Sequence, residues 1–389
     1  MYILIIANGY PTPKYRGLGI FEFDQAKALA EQGCKVLYAA VDLRSIRRWR
    51  KWGFEQFHKD GVDVYAINIP LGRIPQSMLQ AIGFWGLQYL YKKILKNVGK
   101  PDVLHAHFGN MGIIAAKLKT RVGIPLVITE HSSAINKEEI RSQRFLKTIQ
   151  SSYSKSDCLI AVSPALAHRI KNHFGLESKY IPNMVDENVF NYSPGRATQG
   201  FTFVSVGNLI KGKRMDLTIE AFYRAFFESE EKKEVHLYIY GEGDERRTCE
   251  ELIRKYDLKD HVHLMGRRSR EEIADTLRNA QCFVLASQAE TFGVAYIEAL
   301  ACGVPVIATR CGGPEAFVHE KNGILIPVDD LSALVQAMRE MYKTGGLYNR
   351  EAIAKETMDL FSSEYVARKL IQTYQDICGG EAVIVKQGF

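Results

Sequence analysis

Short apolar runs alternate with longer segments of helical period along almost the whole chain, and this alternation constrains the fold more than any other feature. In the first half the runs fall at 2–7, 34–40, 62–67, 103–107, 126–129 and 158–162. Helical patterns fill the gaps near 20–32 and over 76–97, 110–121 and 138–154. The alternation stops at Glu187 to Gly200, a polar stretch without period that contains Pro194 and Gly195 and reads as a linker. It restarts at Phe201 to Gly207 and continues at 235–240, 262–265, 282–286 and 305–308. Parallel strands need crossover helices, so the pattern predicts an α/β chain with parallel, doubly wound sheets. A length of 389 residues exceeds one ordinary core and predicts two domains, residues 1–187 and 200–363.

Charge and cysteine usage narrow the partners. Residues 1–190 carry 26 Lys and Arg against 15 Asp and Glu, a balance of +11; residues 191–389 carry 25 against 29, a balance of −4. An anionic partner for the first domain is expected. No nucleic-acid reading motif is present, so anionic lipid headgroups or a phosphate-linked acceptor fit better than nucleic acid. The stretch Arg44 to Trp52, RSIRRWRKW, sets five basic residues beside two tryptophans, the pairing found at lipid–water interfaces, and reads equally as a solvated loop. Helix 76–97 carries Phe84, Trp85, Leu87, Tyr89, Leu90 and Tyr91 and reads as core packing. Met1 to Ala7 has no basic n-region and reads as a first strand, not a signal peptide. No apolar run reaches 18 residues. Seven scattered cysteines without a CxxC pair point to a reduced, cytoplasmic protein with no zinc site. Peripheral attachment to the inner face of the membrane is the accompanying expectation.

The densest chemistry lies between Ala286 and Glu315, ASQAETFGVAYIEALACGVPVIATRCGGPE. Glu290 and Glu298 flank the turn Thr291-Phe292-Gly293, after the strand ending at Leu285 and at the start of a helix over Val294 to Cys302. The free N–H groups of a helix start opened by Gly293 suit phosphate oxygens. Glu298, one turn in, can accept hydrogen bonds from a sugar diol. Two acids eight apart also occur on any solvated helix, so the surrounding glycine pattern decides.

That pattern, with Gly303-Val304-Pro305-Val306-Ile307-Ala308 and Gly312-Gly313-Pro314-Glu315, resembles the acid–seven residues–acid signature of retaining glycosyltransferases of family 4, which have the GT-B fold. The resemblance implies two Rossmann-like domains facing a cleft, with a C-terminal helix within 364–389 crossing back to the first domain. It implies that Glu298 holds the ribose hydroxyls. Glu290 would lie beside the transferred sugar, with backbone N–H groups of Phe292, Gly293 and Val294 offered to it and to the phosphates.

Other segments are similar to family features. Val206-Gly207-Asn208-Leu209-Ile210-Lys211-Gly212-Lys213-Arg214 aligns with the family's Val-Gly-Arg-Leu segment, with Lys213 at the lysine that neutralises the leaving diphosphate. Asn208 stands where the family has arginine and Arg214 where it has glycine, so Arg214 or Lys211 could supply a displaced cation. The loop Pro11 to Phe21 is similar to the family's glycine loop; either Gly17 or Gly19 would contact phosphate. Tyr240-Gly241 and Gly266-Arg267 are strand ends that the resemblance sets near the phosphates and the base. His131, ending the strand at 126–129, occupies the place of a family histidine near donor sugar and acceptor. His105 and His107 share one face of a strand and read as packing or, less well, as metal ligands.

The resemblance implies transfer of a hexose or N-acetylhexosamine from a UDP- or GDP-sugar, with retention of configuration, to a saccharide or lipid-linked saccharide in cell-surface polysaccharide synthesis. A front-face route is preferred over double displacement through Glu290. No Asp-x-Asp motif ends a first-domain strand, so no metal and no other cofactor are expected. A nucleotide-sugar 2-epimerase of the same fold, which needs no acceptor, and a non-catalytic nucleotide-sugar sensor are the other readings.

Overall fold

The computed structural model describes residues 1–15, 17–43, 51–72, 74–136, 142–194, 200–228 and 234–379. Arg16, residues 44–50 of the basic tryptophan stretch, 195–199 of the linker and 380–389 of the C-terminal segment lie outside them. Two compact units emerge. One comprises Met1–Val162, Leu166–Met184 and the chain from Ser363; the other comprises Ser163–Ala165 and Val185–Ser362.

The first unit holds an eight-stranded sheet. Its strands are β1 (Tyr2–Ala7), β2 (Lys35–Asp42), β3 (Gly53–Lys59), β4 (Val62–Asn68), β5 (Val103–His107), β6 (Leu126–Glu130), β7 (Cys158–Ala161) and β8 (Lys179–Tyr180), ordered β3-β4-β2-β1-β5-β6-β7-β8. The helices are α1 (Ile20–Glu31), α2 (Gln76–Asn97), α3 (Phe108–Val122), α4 (Gln143–Tyr153) and α5 (Pro164–Phe174). Strands β5 and β6 are buried at every residue, as expected for parallel strands covered on both faces. The expectation of an all-parallel sheet needs one correction. Strand β3 runs antiparallel to β4 at the sheet edge, joined to it by Asp60-Gly61 with φ of 51° and 77°. Asp-Gly between two strands is the sequence signal of a tight hairpin turn, and it stands in Lys59-Asp60-Gly61-Val62.

The second unit holds a six-stranded parallel sheet of β9 (Phe201–Val206), β10 (Val235–Tyr240), β11 (Val262–Gly266), β12 (Cys282–Leu285), β13 (Val306–Thr309) and β14 (Gly323–Ile326), ordered β11-β10-β9-β12-β13-β14. Helices α6 (Met215–Phe226), α7 (Arg246–Lys255), α8 (Arg270–Asn279), α9 (Val294–Ala301), α10 (Leu331–Thr344) and α11 (Arg350–Phe361) accompany it. The final helix, α12 (Ser363–Ile377), belongs to the first unit, where the Tyr374 hydroxyl lies 2.7 Å from His105 Nδ1 and Lys179 Nζ donates to Thr373 Oγ1 at 2.9 Å.

Candidate functional site

Strand order shows where a site can form in the second unit. From β9 the chain proceeds through β10 and β11 to one side, and from β12 through β13 and β14 to the other. Loops leaving the carboxyl ends of β9 and β12 therefore diverge, and a crevice opens at such a reversal. The first loop carries Asn208 to Arg214, the second Ala286 to Gly293. They meet where Lys213 Nζ lies 2.5 Å from Glu290 Oε1. The Ser287 hydroxyl donates to the same carboxylate oxygen at 2.8 Å, and Gln288 N donates to Gly212 O at 2.8 Å. Glu290 is further fixed by its backbone, because Gly313 N donates to Glu290 O at 3.0 Å. Only 23% of the Lys213 side chain and 11% of the Glu290 side chain are exposed, so solvent screens this pair less than a surface ion pair.

Arg214 sits at φ 50°, ψ 43°, a left-handed conformation that glycine would adopt without cost. Its guanidinium is held by Asp216 at 3.2 Å and by Asp329. Any role at a diphosphate would draw on a group already in ion pairs. Asn208 is exposed at the end of β9.

Three glycine strand ends line up beside it. Gly207 N donates to Tyr240 O and Gly241 N to Gly266 O, each at 2.9 Å. Gly241 has φ 142°, and a Cβ there would stand 1.9 Å from Gly207 O, so no side chain fits. Arg267 follows, exposed. At the carboxyl edge of β11, β10 and β9 the Gly241 turn is closed against Gly207, with the exposed side chains of Asn208 and Arg267 on either side.

Helix α9 begins after Gly293, whose φ is 100°, with no side chain capping its first turn. Phe292 is buried against Phe317 and Phe361 at ring distances of 5.2 and 5.7 Å, so its side chain belongs to the core and only its backbone faces the loop. Val294 opens the helix, and Glu298 follows one turn on, with 14% of its side chain exposed. Glu298 Oε1 lies 3.4 Å from a guanidinium nitrogen of Arg270, which also reaches Asp186 at 3.6 Å and packs over the Phe190 ring at 5.5 Å. Neither Arg270 nor Asp186 is legible as a site residue from its local motif. The capping box Ser269-x-x-Glu272 does announce that α8 starts at Arg270.

In the first unit the strand order reverses between β1 and β5. The loop after β1 contains Gly9, Gly17 and Gly19. Gly19 has φ 65°, and a Cβ would lie 2.4 Å from Gly9 O, so packing alone requires this glycine. At Gly17 nothing lies within 4 Å of a Cβ, and packing makes no such demand.

His107 ends β5, and His131 follows β6. Their rings stack at 5.3 Å with His107 Nδ1 and His131 Nε2 3.1 Å apart, while the His105 ring lies tilted by 32° against His107 at 4.4 Å. His105 Nε2 lies 2.7 Å from Thr129 Oγ1. Burial lowers the pKa of His131 to about 4, against a small opposing pull from Asn183. Burial, helped by His131, lowers that of His105 to about 3. All three rings are neutral near pH 7. Among the described residues, no group of three or more His, Cys, Asp or Glu is arranged to hold a metal ion.

Beneath His131 lies Glu130, which the motif reading passed over. It is fully buried and accepts from Gly109 N at 2.9 Å, His131 N at 2.9 Å, Ser132 N at 2.6 Å and the Tyr153 hydroxyl. Burial raises its pKa, opposed by these four donors. It ties the ends of β6, α3 and α4 together and so fixes where His131 stands. An acid directly after an apolar strand was the available signal.

A family model described as Glycosyl transferases group 1 matches residues 190–357, and one described as Glycosyltransferase Family 4 matches residues 15–189. N-acetyl-alpha-D-glucosaminyl L-malate synthase of Bacillus anthracis is 28% identical over 384 residues, covering 94% of this chain and 95% of the relative. Sucrose-phosphate synthase from Thermosynechococcus elongatus superposes with a TM-score of 0.80 at 21% identity, over 96% of this chain and 98% of that one. Anabaena HepE in complex with UDP gives 0.72 at 18% identity, over 97% and 100%. Between them the two family matches run from residue 15 to residue 357, and the chain belongs to the family 4 glycosyltransferases of GT-B fold.

Proposed function

We propose that this glycosyltransferase moves a hexose or N-acetylhexosamine from a UDP- or GDP-sugar to a saccharide or lipid-linked saccharide, retaining the anomeric configuration, in the synthesis of cell-surface polysaccharide. The observation that carries the reading is the Lys213–Glu290 pair at the reversal of strand order, one loop away from the uncapped helix that presents Glu298. In this reading Glu298 accepts from the ribose diol. The diphosphate takes up the charge of Lys213 and the first N–H groups of α9, close to the side-chain-free turns at Gly241 and Gly266, with Arg267 beside the base. Either Gly17 or Gly19 contributes from the first unit. Glu290, released from Lys213, faces the transferred sugar, and neutral His131 serves as a hydrogen-bonding partner for donor sugar and acceptor.

The chemical step is a front-face exchange. The bond from the anomeric carbon to the diphosphate oxygen breaks, and the acceptor oxygen bonds to that carbon on the same face. The acceptor proton passes to the departing phosphate oxygen. Lys213 stabilises the charge developing there, an electrostatic task of the kind usually worth several kcal/mol. No metal ion enters this account. The enzyme works in the cytoplasm, peripherally at the inner face of the membrane, where the positive balance of the first half meets anionic lipid. A thermal-shift screen of UDP- and GDP-sugars tests the donor, since a ligand at a hundredfold its Kd stabilises by about 2.7 kcal/mol. Proton NMR of the product then reads the anomeric configuration. Failure of every nucleotide sugar to stabilise the protein refutes the proposal, an inverted product refutes retention, and donor conversion without acceptor identifies an epimerase.

A further inference from the structure

We propose that the outer face of α2, with the adjoining start of β3, is the surface that docks on an anionic lipid bilayer. The inference rests on the lipid-side acceptor proposed above and says which part of the chain meets the membrane. Helix 76–97 reads from sequence as core packing, and the structure bears that out on one face only. Gly83, Gly86, Leu87, Leu90, Tyr91 and Ile94 do face inward. Gly86 lies so close to the sheet that a Cβ would stand 3.2 Å from Ile67 and 3.4 Å from Val41. The opposite face, however, is not core. Trp85 is 58% exposed and Met78 51%, with Leu95 exposed further along.

These side chains form part of a built surface. Trp85 stacks on Tyr89 at 6.1 Å, Tyr89 meets the edge of Phe54 on β3 at 5.9 Å, and Trp52, just before β3, is exposed. Lys93 Nζ sits over both Phe54 and Tyr89, at 5.5 and 5.7 Å. Behind them, Arg121 of α3 packs over Phe84 at 4.7 Å. Exposed Lys92 and Lys96 continue the outer face toward the end of α2.

The charge is one-sided. Between Asp63 and Glu130 the sequence has eight Lys and Arg and a single acid, Asp102; α2 itself has no acid. Large apolar and indole groups in water, ringed by cations whose stems lie along aromatic faces, suit the headgroup region, where tryptophan and tyrosine sit and lysine reaches out to phosphate. The helix cannot insert across a bilayer while its inner face is bound to the sheet. Among the described residues, none is long and apolar enough to span one.

The test uses the full chain and a reporter already in place. Trp49, Trp52 and Trp85 are its only tryptophans, and two of them lie on the proposed surface. On mixing with phosphatidylcholine–phosphatidylglycerol vesicles at low salt, tryptophan emission should shift to shorter wavelength and the protein should pellet with the vesicles. Phosphatidylcholine alone should bind it far less. Each lysine near an anionic surface contributes about 1 kcal/mol, roughly fivefold, so K92Q/K96Q should weaken partitioning on the order of tenfold or more. W85S should weaken vesicle binding and remove the Trp85 share of the shift, leaving that of Trp52. Nucleotide-sugar binding is measured on the same samples. Unchanged donor binding with lost vesicle binding in the variants supports the proposal. A wild type that binds donor but not anionic vesicles overturns it and leaves the transferase reading intact, whereas loss of donor binding in the wild type would instead strike that reading. A wild-type dimer that W85S converts to a monomer also overturns it, assigning the face to a second copy.

Discussion

Replacing His131 by phenylalanine should make the first unit markedly more resistant to acid. Burial, the dominant cause, holds the folded imidazole at a pKa of about 4, against an ordinary value of 6.5. The sign follows from proton uptake. Below pH 6.5 the unfolded chain binds a proton that the folded ring refuses, so stability falls as pH drops from 6.5 toward 4. Between pH 7 and pH 5 this one ring should account for a loss of about 2 kcal/mol, at about 1.4 kcal/mol per pKa unit. His105 and His107, with pKa values also lowered by burial, act in the same direction. Glu22 and Glu130, with raised values, oppose them, because their folded forms hold protons the unfolded chain releases. The wild-type pH profile is therefore a sum of opposing parts; the substitution removes the His131 part together with its pull on His105 and His107, which acts in the same direction. Urea unfolding at pH 7 and pH 5, followed by tryptophan emission, is the assay; all three tryptophans precede residue 86, so the signal reports the first unit. The wild type should lose about 2 kcal/mol more than the variant between the two pH values. Equal losses would mean that His131 titrates near its ordinary value and that its ring is not withdrawn from water.

Three further outcomes are expected. Glu22 in α1 is buried, which lifts its pKa to about 7; its contribution is present below 4.5 and is lost as pH rises through 7, so Glu22→Gln should stabilise the protein at pH 8 by up to about 3 kcal/mol and change little at pH 4, measured by urea unfolding. Gly241→Ala should destabilise the second unit by about 1–3 kcal/mol, because the new methyl meets Gly207 O at a left-handed φ, and its hydrogen-exchange protection should drop around β9 and β10. If Lys213 and backbone N–H groups meet the diphosphate as proposed, sugar transfer should survive excess EDTA; loss of turnover restored by Mg²⁺ would show that this assignment of charge is wrong.

Much of the fold was legible because parallel strands buried on both faces appear as unbroken apolar runs. Val103 to His107, Leu126 to Thr129 and Cys282 to Ala286 stand out for that reason. Strand β3 did not, because four of its seven residues are exposed and none is buried, and its aromatic and charged side chains mask the period. Helix α2 was legible as a helix, and its core reading holds for Leu87, Leu90 and Tyr91 but not for Trp85, since composition alone cannot say which of its aromatics face outward. Lys213 and Glu290 were nameable from local motif, and the structure brings them together across 77 residues of chain. Arg270, Ser287 and Glu130 act through partners distant in sequence or through burial, neither of which a local pattern encodes.

The central claim is that Glu298 and Lys213 grip the two ends of a nucleotide-sugar donor. Isothermal titration of a UDP- or GDP-sugar that stabilises the wild type, repeated on Glu298→Ala and Lys213→Ala, tests it most directly. A hydrogen bond to a charged group is worth about 1.5–3 kcal/mol, so each variant should bind roughly ten- to a hundredfold more weakly while keeping the wild-type fold by circular dichroism. Glu298→Ala should also lose the preference for a ribonucleotide over its deoxyribose counterpart. Wild-type affinity in a folded Glu298→Ala variant would contradict the ribose assignment, and wild-type affinity in both variants would remove the donor site from the crevice between β9 and β12.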